Sequence, residues 1–248
     1  MSRPLSILVT AGNTMVPIDQ VRAITNIFHG RTGTNIANYF AGQGNDVALL
    51  TSNPKLAQPS LENSGLSDSE IMVVKMLRRL KRPKKNSLKV LPYKTFNDLK
   101  TLMADQITSS HFDVVIHSAA VSDYQVTGVC VEKATGLERI DSSKKISSEF
   151  EKLYLEMSKT EKLVDLIRPE WGFKRILVKF KLQVGISDEE LIKIATKSME
   201  DSQADFIVAN CLEWSRDYAY IISSDRVLCV TREKLPQELF AKIKERIA

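Results

Sequence analysis

Two stretches near the start of the chain combine glycine with small polar residues in a way that can serve a phosphorylated ligand. The first runs from Thr10 to Asp19, and a Gly-Arg-Thr-Gly tetrapeptide follows at 30–33. Glycines before a helix let backbone amides approach a phosphate, and the helix dipole adds about half a positive charge there. The spacing matches neither GxGxxG nor a P-loop, so it predicts neither of those nucleotide loops. Ordinary turns are the alternative interpretation of these glycines.

Two further segments carry a carboxylate and a pair of lysines. Ser118-Ala-Ala-Val-Ser-Asp-Tyr124 follows an apolar run, and its small residues leave room for a ligand against the backbone. Asp123 can accept hydrogen bonds from ligand hydroxyls or supply an oxygen to Mg²⁺; a helix cap or turn is the alternative. Lys144 and Lys145 lie in a polar loop and suit a phosphate, with a solvated charge as the alternative.

The hydrophobic pattern predicts the scaffold that must position these segments. Short apolar runs typical of buried parallel strands alternate with helical spacing. Strands are expected near 5–9, 46–50, 88–91, 112–118, 153–157, 176–182 and 206–209, with a hairpin at 218–222 and 226–230. Helices are expected near 33–42, 96–107, 161–167, 187–201 (opened by a capping box at 187–190) and from 236 onward.

This alternation predicts an α/β fold: a doubly wound, mostly parallel Rossmann-like sheet with an antiparallel edge hairpin. Ligands of such sheets bind beyond the carboxyl ends of the strands. A single domain over residues 1–248 is the simplest organisation. It would carry an irregular insertion at about 53–88 and a polar excursion at about 124–150, which is longer than an ordinary loop.

Composition excludes several classes of protein. The 248 residues are 43% hydrophobic and 26% charged with a net charge of +5, an ordinary globular balance. Much of the positive excess lies in residues 75–85, and no aromatic residue interleaves with these charges, so we expect a solvated connection and no nucleic-acid partner. The three cysteines are widely spaced, which argues against a disulfide framework or a zinc site. Without a leader or a long apolar span, a cytoplasmic protein with no membrane segment is expected.

Taken together, the motifs resemble those of phosphopantothenoylcysteine synthetase (phosphopantothenate–cysteine ligase) in its stand-alone bacterial form. The resemblance covers residues 5 to 210 in the order of the family. The matching pieces are LVTAGNTMVPIDQVRAITN (8–26), GRTG (30–33), VVIHSAAVSDY (114–124), KISS (145–148), VKFKLQV (178–184) and QADFIVAN (203–210).

The resemblance implies an amide synthesis in two steps, in coenzyme A biosynthesis. The carboxylate of 4′-phosphopantothenate attacks the α-phosphate of a nucleoside triphosphate, releasing pyrophosphate and leaving an acyl-nucleotide. The amine of cysteine then attacks the acyl carbon and expels the monophosphate. The resemblance also implies CTP as the favoured nucleotide with ATP as the alternative, a requirement for Mg²⁺, and a homodimer with part of 124–150 at or near its interface.

The same resemblance implies roles for individual residues. Asn26 would hold the acyl-nucleotide, Arg22 would support it, and Lys145 would contact its phosphates and assist its turnover. The nucleotide-binding residues would be Gly12, Ser118, Ala119, Ala120, Asp123, Lys145, Phe180 and Lys197, with Asp123 also a metal ligand. Three positions depart from the family pattern: Asn13 replaces a glycine, Asp201 replaces a lysine, and Cys211 replaces an aspartate.

Two other functions stay open at this point. A non-catalytic nucleotide-binding or regulatory module of the same fold would be compatible with Asn13 and Asp201. An NAD(P)-dependent short-chain reductase shares the sheet, but it should show a glycine-rich dinucleotide loop and a Tyr-xxx-Lys pair. No tyrosine of this chain is followed four places later by lysine.

Overall fold

A central eight-stranded sheet organises the chain, for which the computed structural model describes residues 3–57, 67 and 88–247. Its strands are β1 (Ser6–Ala11), β4 (Asp46–Thr51), β5 (Leu88–Pro92), β6 (Val114–His117), β10 (Ile176–Gln183), β11 (Phe206–Cys211), β12 (Tyr218–Ile222) and β13 (Val227–Thr231). They are arranged in the order β13-β12-β11-β10-β6-β1-β4-β5. All neighbours are parallel except at β12, which pairs antiparallel with both β11 and β13. The predicted sheet and its edge hairpin are therefore confirmed.

Helices cover both faces of this sheet. They are α1 (Arg31–Gly42), α2 (Phe96–Ser109), α3 (Leu163–Leu166), α4 (Asp188–Asp201) and α5 (Leu235–Ile247). Alternate residues of β1 point to opposite faces. Ile7 and Val9 pack in one core with Ile36 of α1, while Leu8 packs in a second core with Leu99 of α2. A third cluster lies beneath α4.

The strand order places a topological switch between β1 and β6. From β1 the chain moves outward through β4 to β5, and then returns to the other side of β1 to form β6, β10 and β11. The loops that leave β1 and β6 therefore diverge to opposite sides of the sheet. Their divergence opens a crevice at the carboxyl ends of these two strands. The segments after Ala11 and after His117 both start at this crevice.

Two small sheets are formed by the segments that leave the carboxyl ends of β1 and β6. The segment that follows β1 contains a short hairpin, β2 (Met15–Pro17) and β3 (Ala23–Thr25), where the sequence pattern indicated only a polar loop. The predicted excursion at 124–150 includes β7 (Tyr124–Lys133) and β8 (Gly136–Ile140). These two strands form an antiparallel sheet with β9 (Tyr154–Lys159), in which β7 is central.

Two further expectations meet the structure only in part. Ser187 caps α4 by accepting from the amide of Glu190, which is one half of the predicted capping box. Most of the predicted insertion at 53–88, including the basic run at 75–85, lies outside the described residues. Among the residues that are described, no helix is both long enough and apolar enough to cross a membrane.

Candidate active site

The glycine-rich loops at the switch point pack directly on one another. Gly12 has a φ of +96° and Gly30 a φ of +85°, a region that residues with side chains seldom adopt. A Cβ on Gly30 would lie 2.2 Å from the backbone nitrogen of Gly12, and one on Gly33 would lie 2.2 Å from Ser118 Oγ. No side chain caps the start of α1. Its first amides and the positive end of its dipole therefore lie at the crevice, available to an anion.

Asn26 and Ala120 meet at this point although 94 residues separate them. Asn26 Nδ2 donates to the carbonyl of Ala120 at 2.9 Å. The amide of Ala120 in turn donates to the carbonyl of Gly12 at 2.8 Å. Among the described residues Asn26 Oδ1 has no donor, so it is free to accept from a ligand. Three of the predicted site residues are thus joined by two hydrogen bonds.

Asn13, one of the departures from the family pattern, holds this arrangement together. It is not among the residues with a positive φ in the described chain. Its Nδ2 donates to Thr25 Oγ1 at 2.7 Å and to the carbonyl of Asn26 at 2.6 Å, and its Oδ1 accepts from Ser52 Oγ at 2.8 Å. The side chain therefore ties the β2–β3 hairpin to the end of β4.

A buried pair beneath the crevice fixes Ser118 and Ala119. Thr10 Oγ1 accepts from the amide of Ala119 at 3.2 Å and lies 2.9 Å from His117 Nδ1. Burial, together with the nearby charge of Lys179, lowers the pKa of His117 to about 4. The ring is thus neutral near pH 7, and Nδ1 can accept the Thr10 hydroxyl proton. Ser118 Oγ donates to the carbonyl of Thr10 at 2.6 Å, which completes the anchoring.

Arg22 forms hydrogen bonds both within its own loop and to the loop that carries Lys145. Its Nε donates to Asp19 Oδ2 at 2.9 Å, and its Nη2 donates to the carbonyl of Ile146 at 2.6 Å. Burial of the Asp19 carboxylate opposes its ionisation. The amides of Ile146, Val21 and Arg22, together with the Arg22 guanidinium, outweigh burial and lower the pKa of Asp19 to about 2. Arg22 therefore connects the β2–β3 turn to the loop that carries Lys145.

Lys145 and Asp123 are both exposed at this edge of the molecule. Lys145 directly precedes the anchored Ile146. Asp123 accepts the amide of Thr160 through its backbone carbonyl at 2.9 Å, and its carboxylate has no partner among the described residues. No group of three or more metal-ligating side chains occurs in the described part of the chain. Asp123 fits the usual Mg²⁺ arrangement, in which one or two carboxylates bind the ion together with substrate phosphates.

Phe180 and Lys197 differ in their relation to the crevice. Phe180 is half-buried on β10, one residue beyond Lys179, which lies opposite His117 at the end of β6. It is therefore level with Ser118. Lys197 is exposed one turn before the end of α4 and forms an ion pair with Asp201, the last residue of the helix, at 3.5 Å. No described contact links Lys197 to the residues that meet at the crevice.

Sequence reasoning assigned no role to Asp19, His117 or Lys179. Lys179 is buried, and its Nζ donates to the carbonyl of Ser198 at 2.9 Å and to Ser202 Oγ at 3.0 Å. One signal could have located two of them. His117 and Lys179 are polar residues inside the apolar runs at 112–118 and 176–182 from which strands are predicted, and a polar residue in a buried strand is seldom accidental.

The fold and the crevice at the carboxyl ends of β1 and β6 define a class of protein: a doubly wound α/β domain with an anion-compatible crevice at its switch point. The family model described as "DNA/pantothenate metabolism flavoprotein C-terminal domain" matches residues 3–82 and 67–248. The chain belongs to this family.

Three similar proteins give this family membership a context. The chain is 29% identical over 244 residues to the coenzyme A biosynthesis bifunctional protein CoaBC of Thermococcus kodakarensis, covering 97% of this chain and 49% of that protein. It thus spans about half the length of the curated relatives it matches.

Among solved structures, the DNA/pantothenate metabolism flavoprotein of Streptococcus pneumoniae has 29% identity and a TM-score of 0.76, with 98% and 99% of the two chains covered. A Cab2 mutant in complex with phosphopantothenate-cysteine has 19% identity and a TM-score of 0.69, with 98% and 87% covered. The Cab2 similarity supports the fold.

Proposed function

We propose that the protein is a phosphopantothenate–cysteine ligase that acts in coenzyme A biosynthesis in the cytoplasm. The observation that carries this proposal is the junction of Asn26, Ala120 and Gly12 beside the uncapped N-terminus of α1. It offers an amide side chain with a free acceptor next to a helix end suited to phosphate. The proposed substrates, 4′-phosphopantothenate, cysteine and a nucleoside triphosphate, are those that the motif resemblance implies. The family's link to pantothenate metabolism and the relatives' link to coenzyme A biosynthesis support the first two.

The chemistry requires activation of a carboxylate, because a carboxylate has no leaving group of its own. Two anions must approach one another, which calls for oriented amides and cations rather than a protein nucleophile. In the proposed mechanism the α1 amides and Lys145 offset the charge of the phosphates. Asn26 fixes the acyl-nucleotide, with Arg22 in support, and the small residues at 118–120 leave space for it. Cysteine then attacks the acyl carbon, and the nucleoside monophosphate departs.

The nucleotide is proposed to be CTP, with ATP as the alternative, and Phe180 is proposed to pack on its base. Its half-burial at the level of Ser118 supports that position. Mg²⁺, when bound with the nucleotide, offsets the negative charge of the phosphates, and Asp123 would supply one protein oxygen. Lys197 is proposed to reach the nucleotide, which requires its ion pair with Asp201 to open.

Folded protein incubated with 4′-phosphopantothenate, cysteine, Mg²⁺ and either CTP or ATP tests the proposal. We expect pyrophosphate, the nucleoside monophosphate and 4′-phosphopantothenoylcysteine in equal amounts, with CTP faster than ATP. No pyrophosphate with either nucleotide would overturn it.

A binding-only function is the second candidate, and the Lys197–Asp201 ion pair favours it because it withdraws a predicted nucleotide ligand. Thermal stabilisation by CTP or ATP without any turnover would support that function. Stabilisation by NADPH alone would instead support a reductase.

A further inference from the structure

Asp19 joins two segments that lie 127 residues apart. Its side chain is fully buried, and its Oδ2 accepts from the amide of Ile146 at 3.0 Å. Oδ1 accepts from the amides of Val21 and Arg22 at 2.9 and 2.7 Å. A carboxylate saturated with donors has one arrangement available to it, so the turn that carries Asp19 is rigid.

The peptide groups of Ile146 are held on both sides. Its amide donates to Asp19, and its carbonyl accepts from Arg22 Nη2 at 2.6 Å. Its side chain is buried, although residues 144, 145 and 147 on either side are exposed. A groove of about 330 Å³ separates residues 142 and 143 from the 17–20 turn. Ile146 is therefore the anchored point of an otherwise exposed loop.

We propose that Asp19 is a positioning residue that places Lys145 for the second step of the reaction. This inference rests on the proposed ligase function. Lys145 is one residue from the anchor, so its Cα is fixed while its side chain stays free to reach a phosphate. Without the Asp19 carboxylate the loop keeps Lys145 but loses the hydrogen bond that holds the amide of Ile146 in place. The cation then spends only a fraction of its time beside the departing monophosphate.

The experiment compares Asp19→Asn with the wild type and with a matched control, Asp141→Asn. Asp141 lies in the same loop and accepts the Ser143 amide, but it has no described contact with the hairpin. For Asp19→Asn we expect formation of the acyl-nucleotide within about twofold of wild type and its consumption by cysteine slowed by about tenfold or more. The nucleotide KM should change by less than about threefold. The control should match wild type in all three quantities.

A double-mutant cycle connects the effect to Lys145. If Asp19 acts through Lys145, then Asp19→Asn combined with Lys145→Gln should be no slower than Lys145→Gln alone, within about twofold. Multiplicative losses, or wild-type turnover in Asp19→Asn, would overturn the role. Wild-type protein that makes no acyl-nucleotide would refute the ligase function itself, and the positioning role with it.

Two measurements that need no turnover test the anchor separately. Trypsin should cleave after Lys144 or Lys145 at least about fivefold faster in folded Asp19→Asn than in wild type. If Asp19→Asn does not fold, amide exchange in the wild type decides: the Ile146 amide should exchange at least about tenfold more slowly than the amides of Lys145 and Ser147. Equal exchange rates would overturn the anchor.

Discussion

At the scale of single residues, the candidate site consists of side chains that act through one another rather than alone. Asn26 is oriented by its bond to the Ala120 carbonyl, and its own carbonyl is held by Asn13. An Asn side chain offers two N–H donors and one acceptor oxygen, so using one N–H for orientation leaves the oxygen and the second N–H for the ligand. Substitutions here should change rate more than stability.

The first prediction is that Asn26→Asp and Lys145→Gln fail at different stages. Asn26→Asp keeps the size but adds a negative charge beside the phosphate and removes the donor to Ala120. Asn26→Asp also has no N–H left to donate to the acyl-nucleotide, and loss of one preorganised donor to a reacting group lowers the rate by about 10²–10³. Lys145→Gln keeps most of the side-chain length but removes the cation, so the acyl-nucleotide should form and then accumulate.

Single-turnover reactions with mass detection of the acyl-nucleotide distinguish these stages. Lys144→Gln is the matched control. Lys144 is exposed and directly precedes Lys145, and the variant should turn over at the wild-type rate. Wild-type rates in Asn26→Asp, or no accumulation in Lys145→Gln, would show that the roles are assigned to the wrong residues.

The second prediction concerns His117 and pH. Its pKa is about 4 when folded and 6.5 for the ordinary side chain, so the unfolded chain binds the extra proton first as the pH falls. The contribution of the neutral ring to stability is therefore complete above pH 6.5 and is lost between pH 6.5 and 4. A shift of this size corresponds to about 3 kcal/mol. Asp19, with a pKa of about 2, titrates below this window.

Denaturant unfolding from pH 7 to pH 4 measures the effect. Relative to wild type, His117→Asn should unfold with a shallower dependence on pH, because Asn can still accept from Thr10 but does not titrate. The control is His111→Asn at an exposed histidine, which should change the stability at pH 7 by less than about 0.5 kcal/mol. Parallel profiles for wild type and His117→Asn would contradict the prediction.

At the scale of secondary-structure elements, the start of α1 is the part of the scaffold most constrained by the site. The helix begins directly after Gly30, whose conformation and close approach to Gly12 leave no room for a side chain. We predict that Gly30→Ala lowers stability by about 1–3 kcal/mol and abolishes stabilisation by nucleotide.

Gly42, at the other end of the same helix, is the control for Gly30. A Cβ there would meet nothing within 4 Å, and its φ is not positive. Gly42→Ala should therefore be neutral or stabilising by up to about 1 kcal/mol, with nucleotide binding retained. Differential scanning fluorimetry with and without CTP measures both effects. Normal CTP stabilisation of Gly30→Ala would contradict the predicted role.

The elements were predictable from sequence where their hydrophobic period was long and uninterrupted. The strand expected at 176–182 is observed at Ile176–Gln183, and the helix expected at 187–201 begins and ends within a residue of that range. The three-residue strands of the β2–β3 hairpin are too short to show a period. Asp19 and His117 escaped assignment because their partners lie 127 and 107 residues away, and local pattern carries no information about such pairs.

At the scale of the whole molecule, apolar side chains are exposed on the two small sheets. The β7–β9 sheet presents Tyr124, Leu137, Tyr154 and Met157, and the hairpin beside it presents Ile24. Single exposed apolar residues are normal, but several on adjacent elements mark an interaction surface. Since the resemblance implies a dimer contact within 124–150, a second copy of this chain is the partner we propose for it.

The last prediction is that the protein is a homodimer through this surface. Light scattering at micromolar concentration should give twice the mass of one 27.9 kDa chain. Leu137→Lys places a charge on an exposed position far from the cores, so it should yield folded monomer with unchanged circular dichroism. Val227→Lys is the control. Val227 is also exposed, but it is the first residue of the outer strand β13, at the amino ends of the parallel strands and away from the two small sheets. It should leave the dimer intact, whereas a wild-type monomer, or a dimer unaffected by Leu137→Lys, would exclude this interface.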